Sequence, residues 1–159
     1  RLHRPYIRGW PVARLQALGE EAFAAAIAPR LSRRGEARVG EHRARGHLTA
    51  LLSGAPPFLL APLARRLAVA HVIGTPLAVV DGAYTGALAA GHPYGEEKAA
   101  LARRFAAAHG VDLAASYAYA DHHSDAPLLA LFGHPVCVNP TPRLRRLAAR
   151  FGWPVEEFR

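Results

Sequence analysis

The sequence has no methionine, a single cysteine and a single lysine. One cysteine, Cys137, excludes a disulfide within the chain, and its apolar neighbours in Pro135-Val-Cys-Val-Asn139 favour a small core residue over a nucleophile. No uninterrupted apolar run reaches the ~18 residues that a membrane-spanning helix needs, so we expect no membrane partner. Because the chain begins at Arg1 and lacks methionine, we expect that residues preceding it have been removed, left out or lost.

Acidic residues are also few, with 12 Asp and Glu against 20 Lys and Arg and a formal net charge of +8. Such a balance is compatible with a nucleic-acid partner or with an anionic substrate. The arginines are scattered through predicted helices, without interleaved aromatic residues or a recognition motif. We therefore expect solvated helix faces and no nucleic-acid partner, and a nucleic-acid-binding domain remains only a third hypothesis.

Apolar runs alternate with amphipathic stretches along the 159 residues, a length that suits one domain. This alternation predicts a layered α/β fold with a mostly parallel sheet. The predicted strands cover residues 48–52, 69–73, 114–120 and 135–139, with a hairpin of residues 77–80 and 84–88. The predicted helices cover residues 12–28, 37–45, 95–109, 126–132 and 142–150, and one more that ends at residue 66.

Some residues are predicted to end helices or to face the core. Gly110 and Gly133 follow helical patterns, as stop residues do, and Thr141-Pro142 has the pattern of an N-cap followed by proline. In the last helix the residues predicted to face inward are Leu144, Leu147, Ala148 and Phe151.

Two carboxylates, Asp121 and Asp125, follow the predicted strand that ends at Ala120. The carboxyl end of a buried parallel strand is where α/β proteins bind ligands, and two carboxylates suit Mg²⁺. Alone, this spacing is as typical of an N-cap followed by a solvated helix residue. Zinc is a further alternative, although no tetrahedral pattern is formed by the histidines in question, His42, His47, His122 and His123.

Groups suited to phosphate lie elsewhere in the chain. Ser53-Gly54 falls between a predicted strand and a predicted helix, where a hydroxyl and free backbone amides bind phosphate. Lys98, near the start of the next clear helix, can neutralise phosphate as a point charge. Alone, Ser53 is typical of an N-cap and Lys98 of a surface residue. Together with a carboxylate pair for Mg²⁺, they are the parts of a phosphoryl-transfer site.

Taken in order, these motifs resemble the haloacid dehalogenase superfamily, and within it the phosphoserine-phosphatase-like hydrolases of subfamily IB. The segments that carry the resemblance are His47-Leu-Thr-Ala-Leu-Leu-Ser-Gly-Ala-Pro56, Asp81-Gly-Ala-Tyr-Thr-Gly86, Gly95-Glu-Glu-Lys98, residues 119–129, Val138-Asn-Pro140 and Phe151-Gly-Trp-Pro154. Their shared order covers nearly the whole chain. The resemblance implies a Rossmann-like, mostly parallel sheet flanked by helices.

The resemblance also implies roles for five residues. Ser53 and the Gly54 amide would bind the transferring phosphoryl group, and Lys98 would stabilise charge on the phosphate and the nucleophile. Asp121 would ligate Mg²⁺ directly, and Asp125 would assist it through water. Ser53 and Lys98 are therefore the implied catalytic residues, and Mg²⁺ is the implied cofactor.

One motif of the family is absent, the Asp-x-Asp that carries the nucleophile and the acid/base at the end of the first, central strand. The remaining aspartates, Asp81 and Asp112, lie in no such motif. The resemblance therefore implies that residues 1–36 are the remnant of a helical cap and that residues 37–159 are an α/β core without its first strand. We expect the isolated chain to be inactive.

The implied function is that of a cytoplasmic phosphatase that hydrolyses a small phosphorylated metabolite through an aspartyl-phosphate, with Mg²⁺. A missing N-terminal segment of the same protein would complete the site. The alternative hypothesis is a non-catalytic phosphate-binding or complementation module that pairs with a separate N-terminal piece. The substrate stays open, because specificity in this family lies in the cap.

Overall fold

The computed structural model of the protein describes residues 4–158. The chain divides into two compact units, Arg1–Pro93 and Tyr94–Arg159. The predicted boundary between a cap remnant and a core, at residues 36 and 37, is not what separates these units, and it stays a prediction. Residues 1–3 and 159 of those predicted parts lie outside the described residues.

Helices and strands alternate along the described chain, which confirms the predicted α/β class with parallel strands. The α-helices are α1 (Val12–Ala22), α2 (Arg33–Ala44), α3 (Pro57–Leu67), α4 (Glu96–His109), α5 (Ala126–Leu129) and α6 (Pro142–Phe151). The strands are β1 (Ala50–Leu52), β2 (His71–Ile73), β3 (Leu77–Val80), β4 (Ala83–Leu88), β5 (Tyr117–Ala120), β6 (His134–Val138) and β7 (Val155–Glu156). No helix in residues 4–158 has the length and apolar character required to cross a membrane.

The first unit contains a parallel pair of strands and an antiparallel hairpin. Strands β1 and β2 run parallel, with Ala50 opposite His71. Strands β3 and β4 are antiparallel, and the turn between them places Asp81 and Gly82 at positive φ angles of 50° and 76°. Two consecutive positive φ angles are the mark of a tight hairpin turn, so the hairpin predicted at Asp81-Gly82 is confirmed.

Helix α1 packs against α3 in the first unit, and the unit has its own apolar core. The predicted long helix over residues 12–28 continues beyond α1 as a π-helical segment, Phe23–Ile27. The buried members of the core are Ile7, Leu15 and Tyr84, and the partly buried ones are Val12, Leu18, Phe58 and Leu77. This packing holds the hairpin and α3 in one body.

The second unit is built on a parallel sheet of β5, β6 and β7 in that order. Apolar residues from this sheet and from α5 and α6 form its core: Ala118, Ala120, Leu129, Cys137, Leu144 and Ala148. Cys137 is fully buried there, and burial raises the pKa of its thiol. A thiol kept protonated in a core is a poor nucleophile, so the prediction of a core role for Cys137 is confirmed.

Helix α6 begins as predicted and ends differently. The Thr141 side chain accepts a hydrogen bond from the Leu144 amide at 3.4 Å, which confirms the N-cap. The prediction that Phe151 faces the core is wrong, since its side chain is 54 % exposed. Phe151 is the last residue of the helix and stacks on Trp153, with ring centroids 5.0 Å apart. The Phe151 ring therefore packs on Trp153 and not in the core.

The region around Gly133 also differs from the prediction. Helix α5 ends at Leu129, earlier than the predicted residue 132. Gly133 is therefore not the stop of a helix. Its amide instead donates to the Leu113 carbonyl at 3.0 Å, and this tertiary contact turns the chain into β6.

Candidate functional site

Residues 53–55 form a loop at the end of β1 that is tied to the chain after β2. The Ser53 amide donates to the Ile73 carbonyl at 2.9 Å, and the Thr75 amide donates to the Ala55 carbonyl at 2.9 Å. The Ser53 hydroxyl oxygen accepts from the Ala55 amide at 3.1 Å. A serine oxygen bonded two residues onward stabilises a local turn, so the loop has a defined shape.

This loop presents two hydrogen-bond donors. The Ser53 oxygen is an acceptor toward Ala55, which leaves its own O–H hydrogen to donate elsewhere. The Gly54 amide makes no hydrogen bond with any residue from 4 to 158. Because Pro56 is the residue that precedes α3, the alternative interpretation of Ser53 as the N-cap of that helix is wrong.

Two residues that the sequence analysis missed support the loop. Thr75, only 1 % exposed, places its hydroxyl oxygen 2.6 Å from the Gly54 carbonyl oxygen. The same hydroxyl oxygen lies 2.8 Å from Nδ1 of His92. A Cβ added to Gly54 would lie 3.0 Å from Cε1 of His92, so a larger residue here would require the ring to shift by a few tenths of an ångström. Neither Thr75 nor His92 belongs to a recognisable motif, and no sequence signal indicated them.

Lys98 and Asp125 form a buried ion pair in the second unit. Nζ of Lys98 lies 2.8 Å from Oδ2 and 2.8 Å from Oδ1 of Asp125. Both side chains are shielded from water, at 15 % and 8 % exposure. Asp125 is only 6 % exposed, so the alternative interpretation of the second carboxylate as a solvated helix residue is wrong.

The backbone that brings Lys98 to this position depends on a glycine. Gly95 precedes α4 with φ 55° and ψ −126°. Residues other than glycine rarely adopt this backbone conformation. Its carbonyl accepts from the Lys98 amide at 3.0 Å. The first turn of α4 therefore has a fixed direction, and Lys98 reaches Asp125 from it.

Asp121 lies immediately after β5, as the sequence predicts. Its backbone carbonyl accepts from the Thr141 amide at 2.9 Å, which anchors the strand end. Its carboxylate is exposed and makes no ion pair within the described chain. Asp121 therefore presents an open carboxylate, whereas the carboxylate of Asp125 is engaged by Lys98.

Comparison with known proteins identifies the family. Residues 1–130 match the model of the haloacid dehalogenase-like hydrolases. The chain belongs to this family. The matched range includes Ser53, Gly54, Lys98, Asp121 and Asp125.

Several proteins resemble this haloacid dehalogenase-like hydrolase in sequence. Phosphoserine phosphatase SerB1 of Mycobacterium tuberculosis is 37 % identical over 154 residues, covering 97 % of this chain and 50 % of its own length. A histidinol-phosphatase of Neisseria meningitidis is 32 % identical over 143 residues, covering 87 % of this chain and 64 % of its own length. The chain thus spans about half the length of the first of these relatives.

A solved structure agrees with the fold. A protein of unknown function from Bordetella pertussis Tohama I superposes with a TM-score of 0.87 and 34 % identity, covering 94 % of this chain and 68 % of that one. The α/β architecture predicted from the resemblance is therefore shown by a protein of known structure.

The carboxylates that follow β5 are the residues that could hold a magnesium ion. Mg²⁺ is held in proteins by one or two carboxylates, and its remaining ligands are waters or phosphate oxygens. Asp121 offers an open carboxylate, whereas the carboxylate of Asp125 is paired with Lys98 and would assist the ion through water. No group of three or more His, Cys, Asp or Glu side chains in the described part of the chain is arranged to hold a metal. Waters and substrate would complete the coordination.

Of the two histidines beside Asp121, His122 is held by a local hydrogen bond, whereas Nδ1 of His123 is buried without a hydrogen-bond partner among the described residues. Nδ1 of His122 accepts from the Ser124 amide at 3.2 Å, and its ring lies 4.0 Å, centroid to centroid, from that of His123. Burial, His122 and Arg143 lower the pKa of His123, so the neutral imidazole is favoured. The pair His42 and His47 meets through Nδ1 atoms 2.9 Å apart. Two histidines in contact do not supply a tetrahedral zinc site.

The five predicted site residues are therefore distributed over the two units. Ser53 and Gly54 share one loop in the first unit. Lys98 and Asp125 are joined by an ion pair in the second, and Asp121 lies at the end of β5 there. Their roles in binding phosphate and metal stay predictions.

Proposed function

We propose that the protein is a phosphomonoester hydrolase of the haloacid dehalogenase type. In this proposal Ser53, Gly54 and Lys98 bind the phosphoryl group, and Asp121 with Asp125 holds Mg²⁺. The observation that carries the proposal is the loop of residues 53–55, which presents the Ser53 hydroxyl and the Gly54 amide without protein partners for those two hydrogens. Two such donors side by side suit the oxygens of a phosphate.

The chemistry of these residues is positioning and electrostatic stabilisation. The Ser53 hydroxyl and the Gly54 amide would donate to two phosphoryl oxygens and fix the orientation of the group. Lys98 would add a positive charge, which Asp125 holds in place from the other side. Asp121 would be the direct ligand of the metal because its carboxylate is open. When bound, Mg²⁺ would neutralise charge on the phosphoryl oxygens.

We further propose that an aspartate outside the printed sequence is the nucleophile and forms an aspartyl-phosphate. The four aspartates of the chain are all assigned to other tasks. Asp81 occupies the hairpin turn, and Oδ1 of Asp112 accepts from the Ala114 amide at 2.8 Å. Asp125 is paired with Lys98, and Asp121 is the proposed metal ligand. The 159-residue chain alone would then bind phosphate without hydrolysing its esters.

The proposed substrate is a small phosphorylated metabolite. The relatives named above are a phosphoserine phosphatase and a histidinol-phosphatase, and both names refer to small phosphomonoesters. We extend only this shared class to the present chain. Screening phosphomonoesters for competition with inorganic phosphate would identify the member that binds most tightly.

A second candidate function is complementation by another polypeptide segment. Among the described residues, β1 pairs only with β2. The other edge of β1 can therefore accept an added strand. A segment with an Asp-x-Asp sequence that restores phosphatase activity on mixing would support this candidate, and failure of such segments to bind would oppose it.

Replacing Ser53 by alanine is expected to weaken the binding of inorganic phosphate about tenfold or more. The variant loses a hydrogen bond to a charged group, worth about 1.5–3 kcal/mol. Isothermal titration of the purified chain with phosphate in the presence of Mg²⁺ measures the effect. The control is Ser32→Ala, because the Ser32 oxygen caps α2 and its loss should lower stability by about 1 kcal/mol with phosphate affinity unchanged. Equal affinities for wild type and Ser53→Ala would oppose the proposed site.

Replacing Asp121 by asparagine is expected to weaken Mg²⁺ binding at least about tenfold, since the neutral amide loses the charge that attracts a hard cation. Relaxation of water protons by Mn²⁺, which occupies such oxygen sites, measures affinity, with Mg²⁺ as competitor. The control is Asp112→Asn, because an amide oxygen can still accept from Ala114 there. The metal assignment is wrong if the two variants bind Mn²⁺ equally well.

A further inference from the structure

A chain of hydrogen bonds links His92 to the loop of residues 53–55. The Thr75 hydroxyl has one hydrogen, and at 2.6 Å the Gly54 carbonyl oxygen can only accept it. The hydroxyl oxygen must then accept from its other neighbour, Nδ1 of His92, at 2.8 Å. The direction of both hydrogen bonds is therefore determined: His92 donates to Thr75, and Thr75 donates to Gly54.

The direction of these bonds determines which nitrogen of the His92 imidazole carries the hydrogen. Nδ1 of His92 carries a hydrogen, so in the neutral ring Nε2 carries the lone pair. Nε2 makes no hydrogen bond within the described chain. It lies 3.4 Å from the position that a Gly54 Cβ would occupy. The ring is thus held by one nitrogen, and its other edge borders the loop.

The peptide between Gly54 and Ala55 is held at both of its polar ends. Its carbonyl accepts from Thr75, and its amide donates to the Ser53 hydroxyl oxygen at 3.1 Å. A rotation of this peptide would break both bonds. Thr75 therefore fixes the orientation of the Ser53 oxygen through the peptide, and the hydroxyl hydrogen of Ser53 is directed away from Ala55.

We propose that His92 and Thr75 are positioning residues of the phosphate-binding loop. His92, with its hydrogen on Nδ1, orients the Thr75 hydroxyl toward Gly54, and this contact aims the Ser53 hydroxyl and the Gly54 amide at a phosphate. The proposal rests on the proposed function of the loop. It states that the function requires the Nδ1–H tautomer of His92 and the hydroxyl of Thr75. Both residues lie outside the recognised motifs.

The tautomer is tested directly by long-range ¹H–¹⁵N NMR of the histidine rings in the full chain. The expected result is a His92 ring with its hydrogen on Nδ1 at a pH where it is neutral. A ring with its hydrogen on Nε2 would overturn the proposal, because Thr75 could not then donate to Gly54 while also bonding the ring.

Matched variants test the effect on the loop. His92→Asn keeps a donor near the place of Nδ1, whereas His92→Gln moves the donor toward the place of Nε2. Thr75→Ser keeps the hydroxyl, and Thr75→Val removes it with little change of shape. We expect affinity for inorganic phosphate to fall about tenfold in His92→Gln and Thr75→Val, and to stay within about twofold in His92→Asn and Thr75→Ser.

The double variant His92→Gln/Thr75→Val separates a linked pair from two independent contributions. A linked pair predicts that the double variant binds phosphate no more weakly than Thr75→Val alone. Additive losses would overturn the proposal. Thermal unfolding of each variant verifies that the chain is folded at the temperature of the titration.

Failure of the proposed function would be distinguishable from failure of this inference. If the wild-type chain does not bind inorganic phosphate, the function of the loop is wrong. The NMR shifts of the Gly54 and Ala55 amides still report on the positioning. They should change in Thr75→Val and be retained in Thr75→Ser, because both variants keep the His92 ring beside Gly54. Gly54 and Ala55 amide shifts in Thr75→Val that equal those of the wild type would overturn the positioning role.

Discussion

Replacing Lys98 by methionine is expected to lower the free energy of unfolding of the second unit by about 3 kcal/mol. The Asp125 carboxylate is 8 % exposed and has both oxygens 2.8 Å from the Lys98 ammonium. Methionine has a similar length but no charge, so a buried anion would be left without its cation. Denaturation followed by Trp153 fluorescence, in a Trp10→Phe background, measures this loss, because Trp153 packs on the core of this unit.

A second ion pair on the same helix provides the matched control. Nη2 of Arg104 lies 2.8 Å from Oε1 of Glu97, but the two side chains are 62 % and 39 % exposed. Exposed pairs contribute about 0–1 kcal/mol, so Arg104→Met should have little effect. The double variant Lys98→Met/Asp125→Asn should recover most of the stability, since it removes the unpaired charge. Equal stability losses in Lys98→Met and Arg104→Met would contradict the account of this pair.

Replacing Gly133 by alanine is expected to destabilise the second unit by about 3 kcal/mol or more. An added Cβ would overlap the backbone carbonyl of Ala114, which cannot move aside as the end of a flexible side chain could. The Gly133 amide also donates to Leu113 in this contact, at 3.0 Å. The same fluorescence measurement reports the change.

Gly40 is the control for this substitution. It lies inside α2, and a Cβ added there meets nothing within 4 Å. Gly40→Ala should therefore stabilise its helix by about 0.5–1 kcal/mol, because alanine loses less conformational freedom on folding. A Gly133→Ala variant as stable as the wild type would show that the approach of Ala114 is not as close as described.

Local patterns predicted those elements whose causes are local. The cap at Thr141 and the hairpin at Asp81-Gly82 are determined by a few adjacent residues, and both are found. Strand β7, of two residues, has too few positions for an apolar pattern and was missed. The role of Gly133 differs from the prediction because a tertiary contact with Leu113 decides it. The orientation of Phe151 differs because its ring stacks on that of Trp153, two residues later, at the end of the helix.

The candidate site was predictable in its motif residues and not in their supports. The sequence places Lys98 and Asp125 in separate motifs, but only the fold joins them in a buried ion pair. Thr75 and His92 act on Gly54 from 21 and 38 positions along the chain. Contacts at such separations leave no periodicity in the sequence. The contact of Thr75 follows from the parallel pairing of β1 and β2, which brings residues 53–55 beside residues 73–75.

The most direct test of the central claim is a titration of the ¹⁵N-labelled chain with inorganic phosphate in the presence of Mg²⁺. The claim is that the loop of residues 53–55 binds phosphate through the Ser53 hydroxyl and the Gly54 amide. It predicts a saturable shift of the Gly54 amide signal, lost in Ser53→Ala and retained in Ser32→Ala. A Gly54 amide signal that stays in place at saturating phosphate would contradict it.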